Sequence, residues 1–305
     1  MMANKENDHP VESSFFVPPT PILKKIGYGT GVSVYHMDRS PADHKIRSPW
    51  ALKKVSKMNK GGEISRRVCD ESRILKSLNH PNIVGYRGYT KTEDGREVLA
   101  LENCGKSLGD LIEERLEYSM QRFSPAEILT VAKGMAQALD YLHTEAHYMH
   151  GDIKSFNVLI KDNHLQNLKL CDFGVSMQVN DEGLVCDKEK EAGYCGTAAW
   201  SAPEVLIGES ISTKSDIFAL GLTLWEMMTL KPPHCNMNSC SENEELSFEE
   251  AMAIDEESYG KRPPLPDDLG SKYDEVVKIF NWCTEQDQKK RPTAKEILNF
   301  IDRIV

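Results

Sequence analysis

Apolar and polar residues alternate over positions 22–35 on either side of a glycine-rich turn, and again over 50–55, which predicts β-strands. Past residue 60 the period lengthens. Val68, Glu71, Leu75 and Leu78 share one face of a predicted helix, which Asn79-His80-Pro81-Asn82 closes. Residues 98–101 form an apolar run of strand length, and 102–106 read as a short connector. From Ser124 the pattern is helical again. Ser124-Pro125-Ala126-Glu127 combines an N-cap, a proline at the first helical position and a capping-box glutamate, and Ile128, Val131, Met135, Leu139 and Leu142 then line one face. Residues 216–229 are apolar on nearly all sides, which predicts a helix through a core, and 273–283 and 294–301 read as closing helices.

No internal repeat appears. Residues 1–21, rich in proline, serine and charge, are expected to be a flexible tail, and residues 22–305 one α+β domain. The connector divides that domain into a β-rich N-terminal lobe, about 22–103, and a larger, mainly helical C-terminal lobe, about 104–305. Charge refines this picture at one place. The 305 residues carry a formal net charge of −10, but residues 241–257 hold eight acidic side chains and no basic one; without them the balance is −2. The acidity is local, in a polar insertion at about 236–257. That argues against nucleic acid as a partner and is the pattern of a solvated loop, with docking of a basic substrate segment as the other reading.

The longest apolar run, 217–225, is about half of what a bilayer crossing requires, so neither a membrane span nor a membrane partner is expected. Residues 1–8 are polar and charged, without the apolar centre of a secretory signal. Eight cysteines show no paired C-x-x-C spacing and no metal-ligand spacing with histidine, the usage of reduced thiols in cytosol or nucleus. Cys171 reads as a buried, inert thiol rather than a reactive one.

Four segments carry candidate chemistry. Gly27-Tyr28-Gly29-Thr30-Gly31 lies on the turn between the first two predicted strands, where glycines let backbone N–H groups approach phosphate; an ordinary hairpin would look the same. In Ala51-Leu52-Lys53 the period of two puts a small residue and an ammonium on one face, room for a flat base beside a phosphate anchor. Lys54, on the other face, reads as a solvated strand lysine. Glu71, on the following helix, is placed to pair with Lys53. His150-Gly151-Asp152-Ile153-Lys154-Ser155-Phe156-Asn157 sets a carboxylate, an ammonium and an amide on one short loop, and Asp172-Phe173-Gly174 adds a second carboxylate. Together they predict phosphoryl transfer. Asp152 would take or orient the proton of an attacking hydroxyl, Lys154 would neutralise charge on the transferred group, and Asn157 with Asp172 would hold Mg²⁺.

These parts, in this order, resemble a eukaryotic protein kinase from about residue 22 to the end. Gly196-Thr197-Ala198-Ala199-Trp200-Ser201-Ala202-Pro203-Glu204 is similar to the segment that closes a kinase activation loop. The resemblance implies a two-lobed kinase fold and ATP with Mg²⁺ as cofactors. It further implies a nucleotide site of Ile26, Gly27, Gly29, Gly31, Val34, Ala51 and Lys53, with Leu101 as gatekeeper and a hinge from Glu102 to Cys104. A Glu204–Arg291 pair and an Asp216 brace on the catalytic loop follow in the same way. Lys154 with Thr197 matches the serine/threonine class.

Cys171-Asp172-Phe173-Gly174-Val175-Ser176 is similar to MAP kinase kinases, as are Arg39-Ser40-Pro41, Ser48-Pro49-Trp50-Ala51 and the 108–115 and 222–230 stretches to one mitosis-associated group among them. That narrower resemblance implies a protein substrate, a stress-activated MAP kinase, and dual specificity. A kinase-fold scaffold acting through protein binding is the other reading.

Several positions depart from the family pattern. Val32 stands where a third loop glycine is expected, and Gly151 replaces the arginine that in many kinases meets an activation-loop phosphate. No Ser or Thr lies between Met177 and Gly196, so activation is expected not to need a phosphoserine or phosphothreonine there; Tyr194 is the remaining hydroxyl. The ending Asp302-Arg303-Ile304-Val305 lacks the Ser or Thr third from last that common PDZ domains read, which speaks against PDZ binding. Thr20-Pro21 reads as a site for a mitotic proline-directed kinase or as a stiffened linker. Lys5-Glu6-Asn7 has the form of a cell-cycle degron.

Overall fold

A computed structural model describes residues 15–17, 23–29, 31–42, 45–186, 196–235 and 255–304. The chain forms two compact units: residues 1–79 with 84–104, and residues 80–83 with 105–305. Together they make the α+β, two-lobed fold of a protein kinase, the first unit built on a sheet and the second on helices. Thr20, the Lys5-Glu6-Asn7 tripeptide, Tyr194 and positions 236–254 of the acidic insertion lie outside the described residues.

The first unit is a five-stranded antiparallel sheet in the order β1-β2-β3-β5-β4, with β1 Lys24–Gly29, β2 Val32–Ala42, β3 Lys45–Val55, β4 Tyr86–Lys91 and β5 Glu97–Glu102. The strand reading of 50–55 is therefore extended N-terminally to Lys45, and β4, which lacks clean alternation, is an added strand. Register sets the faces. Ala51 opposes Leu101 and Lys53 opposes Leu99, while Leu52, a residue out of phase, packs with Met37, Val98 and Ala100 on the other side.

Onto that other side fold Phe15 and Val17, with Phe15 edge-on to Trp50 at 5.5 Å. Two apolar side chains from the stretch expected to be a tail thus cover the sheet. The helix α1, Glu63–Ser77, buries Val68, Glu71, Ile74 and Leu75. Leu78 is its C-cap, in extended conformation, rather than part of the helical face.

In the second unit α2 Leu108–Tyr118 and α3 Pro125–Thr144 both begin with complete capping boxes, Ser107 with Asp110 and Ser124 with Glu127. All five expected face residues of α3 are buried. A single short turn, α4 Pro203–Leu206, precedes α5 Thr213–Thr229, in which every residue from Ser215 onward is buried. Apolar on nearly all sides, it is a core helix. α6 Asp274–Cys283 and α3 pack on it, and α7 Ala294–Ile304 packs on α3. Two small ribbons complete the unit: β6 Tyr148–Met149 with β9 Met177–Gln178, and β7 Val158–Ile160 with β8 Leu168–Leu170. Residues 80–83 join here because Asn82 donates from Nδ2 to Leu168 O at 3.1 Å and accepts at its carbonyl from Leu170 N–H at 2.8 Å.

Candidate active site

In the first unit, Lys53 Nζ lies 2.8 Å from Glu71 Oε2, and the glutamate side chain is 1% exposed. The pair is desolvated, so the lysine is held in one place by charge and packing together. Glycine-turn geometry is set at Gly31, whose φ of +77° suits glycine and whose added Cβ would meet Asn59 Nδ2 at 2.6 Å. Val32 opens β2 opposite Gly29. Val34 opposes Lys53 across the β2–β3 ladder, and Gly27 opposes Val34 across β1–β2. Ile26 on β1 is half exposed, and Leu101 and Cys104 are buried. The Glu102 carboxylate turns back to accept from Gly85 N–H at 3.3 Å. Lys54 corrects its expectation: it is buried, and burial, with Arg96 nearby, lowers its pKa. Cys171 is likewise half-buried rather than buried.

In the second unit the loop residues converge. Asp152 Oδ2 accepts from Lys154 Nζ at 2.8 Å and Asn157 Nδ2 at 2.9 Å; Oδ1 accepts from the Thr197 hydroxyl at 2.6 Å and its N–H at 3.0 Å. Lys154 Nζ also donates to Thr197 Oγ1 at 2.7 Å. A carboxylate, an ammonium and a hydroxyl from two segments thus form one closed network. Asn157 Nδ2 donates twice to Asp152, to the carboxylate and to the backbone carbonyl at 2.7 Å, which assigns Oδ1 as the amide's acceptor. Cys171 N–H donates to Asn157 O at 2.9 Å and ties the neighbour of Asp172 to Asn157. Among the described residues no three His, Cys, Asp or Glu side chains gather as a resident metal cage. An amide oxygen and a carboxylate suit Mg²⁺, which takes few protein oxygens and completes its shell with phosphate and water.

Asp216, at the start of α5, organises this loop from below. It accepts from His150 N–H at 2.8 Å, Gly151 N–H at 2.9 Å and His143 Nε2 at 2.8 Å. Burial would raise its pKa, but the His143 bond and charge, with the loop contacts, outweigh burial and hold it below the usual value. His150 is fully buried and its pKa is lowered by that burial, so it is neutral: Nδ1 accepts from Asp152 N–H at 3.2 Å and Nε2–H donates to Cys171 O at 3.0 Å. Glu204 and Arg291 form the expected pair, with Nη1–Oε1 at 2.6 Å and Nη2–Oε2 at 2.8 Å.

Sequence reasoning passed over Glu226, although a carboxylate in an otherwise apolar helix is a signal in itself. It accepts from Ser155 Oγ and Trp200 Nε1, each at 2.8 Å, and so joins the catalytic loop to the segment that carries Thr197. Burial pushes its carboxyl up to about 7, partly offset by those bonds. A carboxyl that binds its proton more tightly when folded contributes stability below its ordinary value of 4.5 and loses that contribution as pH rises to about 7. Glu226→Gln removes the ionisation; its Oε1 still accepts from Trp200 Nε1, and its Nε2 donates to the Ser155 hydroxyl, which turns to accept. Its stability relative to wild type is expected to rise between pH 5 and 8, by about 3 kcal/mol at most. Melting curves at those two pH values check this; equal differences at both would place the titration elsewhere.

The chain belongs to the protein kinase family, a class of ATP-using phosphotransferases, whose domain model matches residues 21–300. The narrower resemblance leads to one relative in particular. The chain is 45% identical to the lymphokine-activated killer T-cell-originated protein kinase of Homo sapiens, over 94% of this chain and 90% of that protein. It is also 30% identical to a probable serine/threonine-protein kinase of Dictyostelium discoideum over 93% of this chain, which spans 28% of that protein. A third relative, mitogen-activated protein kinase kinase kinase 2 of Arabidopsis thaliana, is 31% identical over 75% of this chain and 32% of its own length. No helix among the described residues is long and apolar enough to cross a membrane.

Proposed function

We propose that the chain is an active serine/threonine kinase of the MAP-kinase-kinase-like kind, associated with mitosis, that phosphorylates protein hydroxyls, those of a stress-activated MAP kinase among them. The observation that carries this reading is the network in which Asp152 accepts from Lys154, Asn157 and Thr197 together. Mg·ATP would supply the γ-phosphoryl group, which bonds to the substrate oxygen as the bridging P–O bond to the β-phosphate breaks and ADP leaves. Lys53, fixed by Glu71, holds the phosphates, with Gly27, Gly29 and Gly31 approaching them through backbone and Ile26, Val34, Ala51, Leu101, Glu102 and Cys104 around the base. Asn157 and Asp172 hold the metal. Asp152 receives the proton of the attacking hydroxyl, and Lys154 carries the charge that builds on the transferred group. The cytosol or nucleus is the proposed compartment, and protein substrates are the proposed partners.

Mg²⁺-dependent transfer of labelled γ-phosphate to a panel of catalytically inactive MAP kinases tests this, with Lys53→Ala as the control. Label on MAP kinase Ser, Thr or Tyr that is lost in Lys53→Ala is the expected result. Measurable Mg·ATP binding with no transfer to any of them would favour a kinase-fold scaffold.

A further inference from the structure

Residues 147–151 and 171–179 run beside each other as one seam. Val179 N–H donates to His147 O at 2.9 Å, Tyr148 pairs with Gln178 and Met149 with Met177, and Ser176 Oγ donates to His150 O at 2.9 Å. His150 Nε2–H closes on Cys171 O, and its ring stands edge-on to Phe173 at 4.8 Å. The approach is close at Gly151. Its φ is +81°, and a Cβ there would lie 2.8 Å from the carbonyl oxygen of Val175, a backbone atom that cannot swing aside as a side chain would. Inside this seam Asp172 itself has a φ of +66°, a conformation that a non-glycine residue keeps only when its surroundings over-determine it.

We propose that Ser176 and Gly151 form a phosphate-independent latch, with Ser176 as a positioning residue that holds the Asp172 segment against the catalytic loop. Here position 151 has no side chain and residues 177–195 offer no Ser or Thr, while an uncharged hydroxyl on a backbone carbonyl joins residues 171–179 to residues 147–151. The latch rests on the kinase reading for its purpose, since it positions the proposed metal-binding Asp172.

Hydrogen–deuterium exchange on the full chain without nucleotide tests it, for wild type before and after phosphatase treatment, and for Ser176→Ala and Ser176→Thr. Loss of one such hydrogen bond is expected to speed exchange of the 172–179 amides by about five- to tenfold in Ser176→Ala. Ser176→Thr, which keeps the hydroxyl, restores protection, and phosphatase leaves wild type unchanged. In phosphoryl-transfer assays the Mg²⁺ concentration for half-maximal rate rises by a similar factor in Ser176→Ala, while KM for the protein substrate holds. Equal protection in wild type and Ser176→Ala, or wild-type protection lost on phosphatase treatment, overturns the latch. Should Ser176→Ala not fold, Ser176→Cys, with its weaker donor, carries the same expectation at smaller amplitude. Absence of any transfer would remove the kinase reading and leave the exchange comparison to decide the latch by itself.

Discussion

Asp152→Asn is expected to lower kcat for phosphoryl transfer by about a thousandfold, a loss of roughly 4 kcal/mol of transition-state stabilisation. The shape of the side chain is unchanged; its proton affinity and its acceptor set are not. Asp152 accepts at both oxygens, from the Lys154 ammonium and Asn157 amide on one side and from the Thr197 hydroxyl and N–H on the other. An amide can accept at only one of these positions. Its NH₂ then faces either the Lys154 and Asn157 donors or the Thr197 donors, so one half of the network is broken whichever way it turns. It also cannot take the proton of the attacking hydroxyl. Because the loss falls on the reacting hydroxyl, KM for ATP should move little and kcat and kcat/KM should fall together. Steady-state kinetics with varied ATP and protein substrate check this, alongside a melting curve to show that the variant is folded. A fall of less than tenfold in a folded variant would mean that Asp152 is not the base.

How much of this was legible in the chain follows the range over which the signals act. Ser124-Pro125-Ala126-Glu127 is a self-contained message, and α3 starts there with both capping-box bonds formed. The largely apolar stretch of α5 likewise declares a core helix without help from elsewhere. Signals that depend on distant partners are weaker. Residues 80–83 carry no periodicity of their own, and what places them in the second unit is Asn82 bonded to the backbone at Leu168, 86 residues on. Phe15 and Val17 look like stray apolar residues in a polar tail until the β2–β3–β5 face that they cover is built. Lys54 shows the same limit in reverse, since strand alternation says which face it is on and nothing about what buries that face.

The candidate site divides in the same manner. Residue types and order point to Lys53, Glu71, Asp152, Asn157 and Asp172, because the chemistry names its own participants. The supporting bonds do not: Thr197 on Asp152, Glu226 on Ser155 and Trp200, and Ser176 on His150 each join residues at least 26 positions apart through ordinary hydroxyl, indole or carboxyl groups. Such groups are common everywhere in a chain, and only the fold says which of them meet.

Arg291→Ala should cost about 3–5 kcal/mol of stability, the largest single effect expected outside the reacting groups, because it strands a buried charge. Arg291 is 2% exposed and Glu204 7%. Beyond the two bonds to the Glu204 carboxylate, the guanidinium donates to three backbone carbonyls: Glu285 O at 2.7 Å, Lys214 O at 3.1 Å and Gln286 O at 3.2 Å. It also lies over the Phe218 ring at 4.9 Å. Truncation leaves Glu204 with the Ser215 hydroxyl, at 2.8 Å, as its remaining described partner, and three partly buried carbonyls lose their bond to the guanidinium. Arg291→Lys should recover little of this, since one ammonium cannot reproduce a planar fork that serves a carboxylate and three carbonyls at once. For a chain of this size the loss corresponds to a fall in Tm on the order of 10 °C. Lys133→Ala provides the contrast: its ion pair with Asp302 is 2.7 Å long but half in solvent, and its removal should change stability by less than about 1 kcal/mol. If Arg291→Ala melts within 2–3 °C of wild type, or if the two lysine and arginine truncations cost the same, then burial of the Glu204 pair does not anchor the second unit.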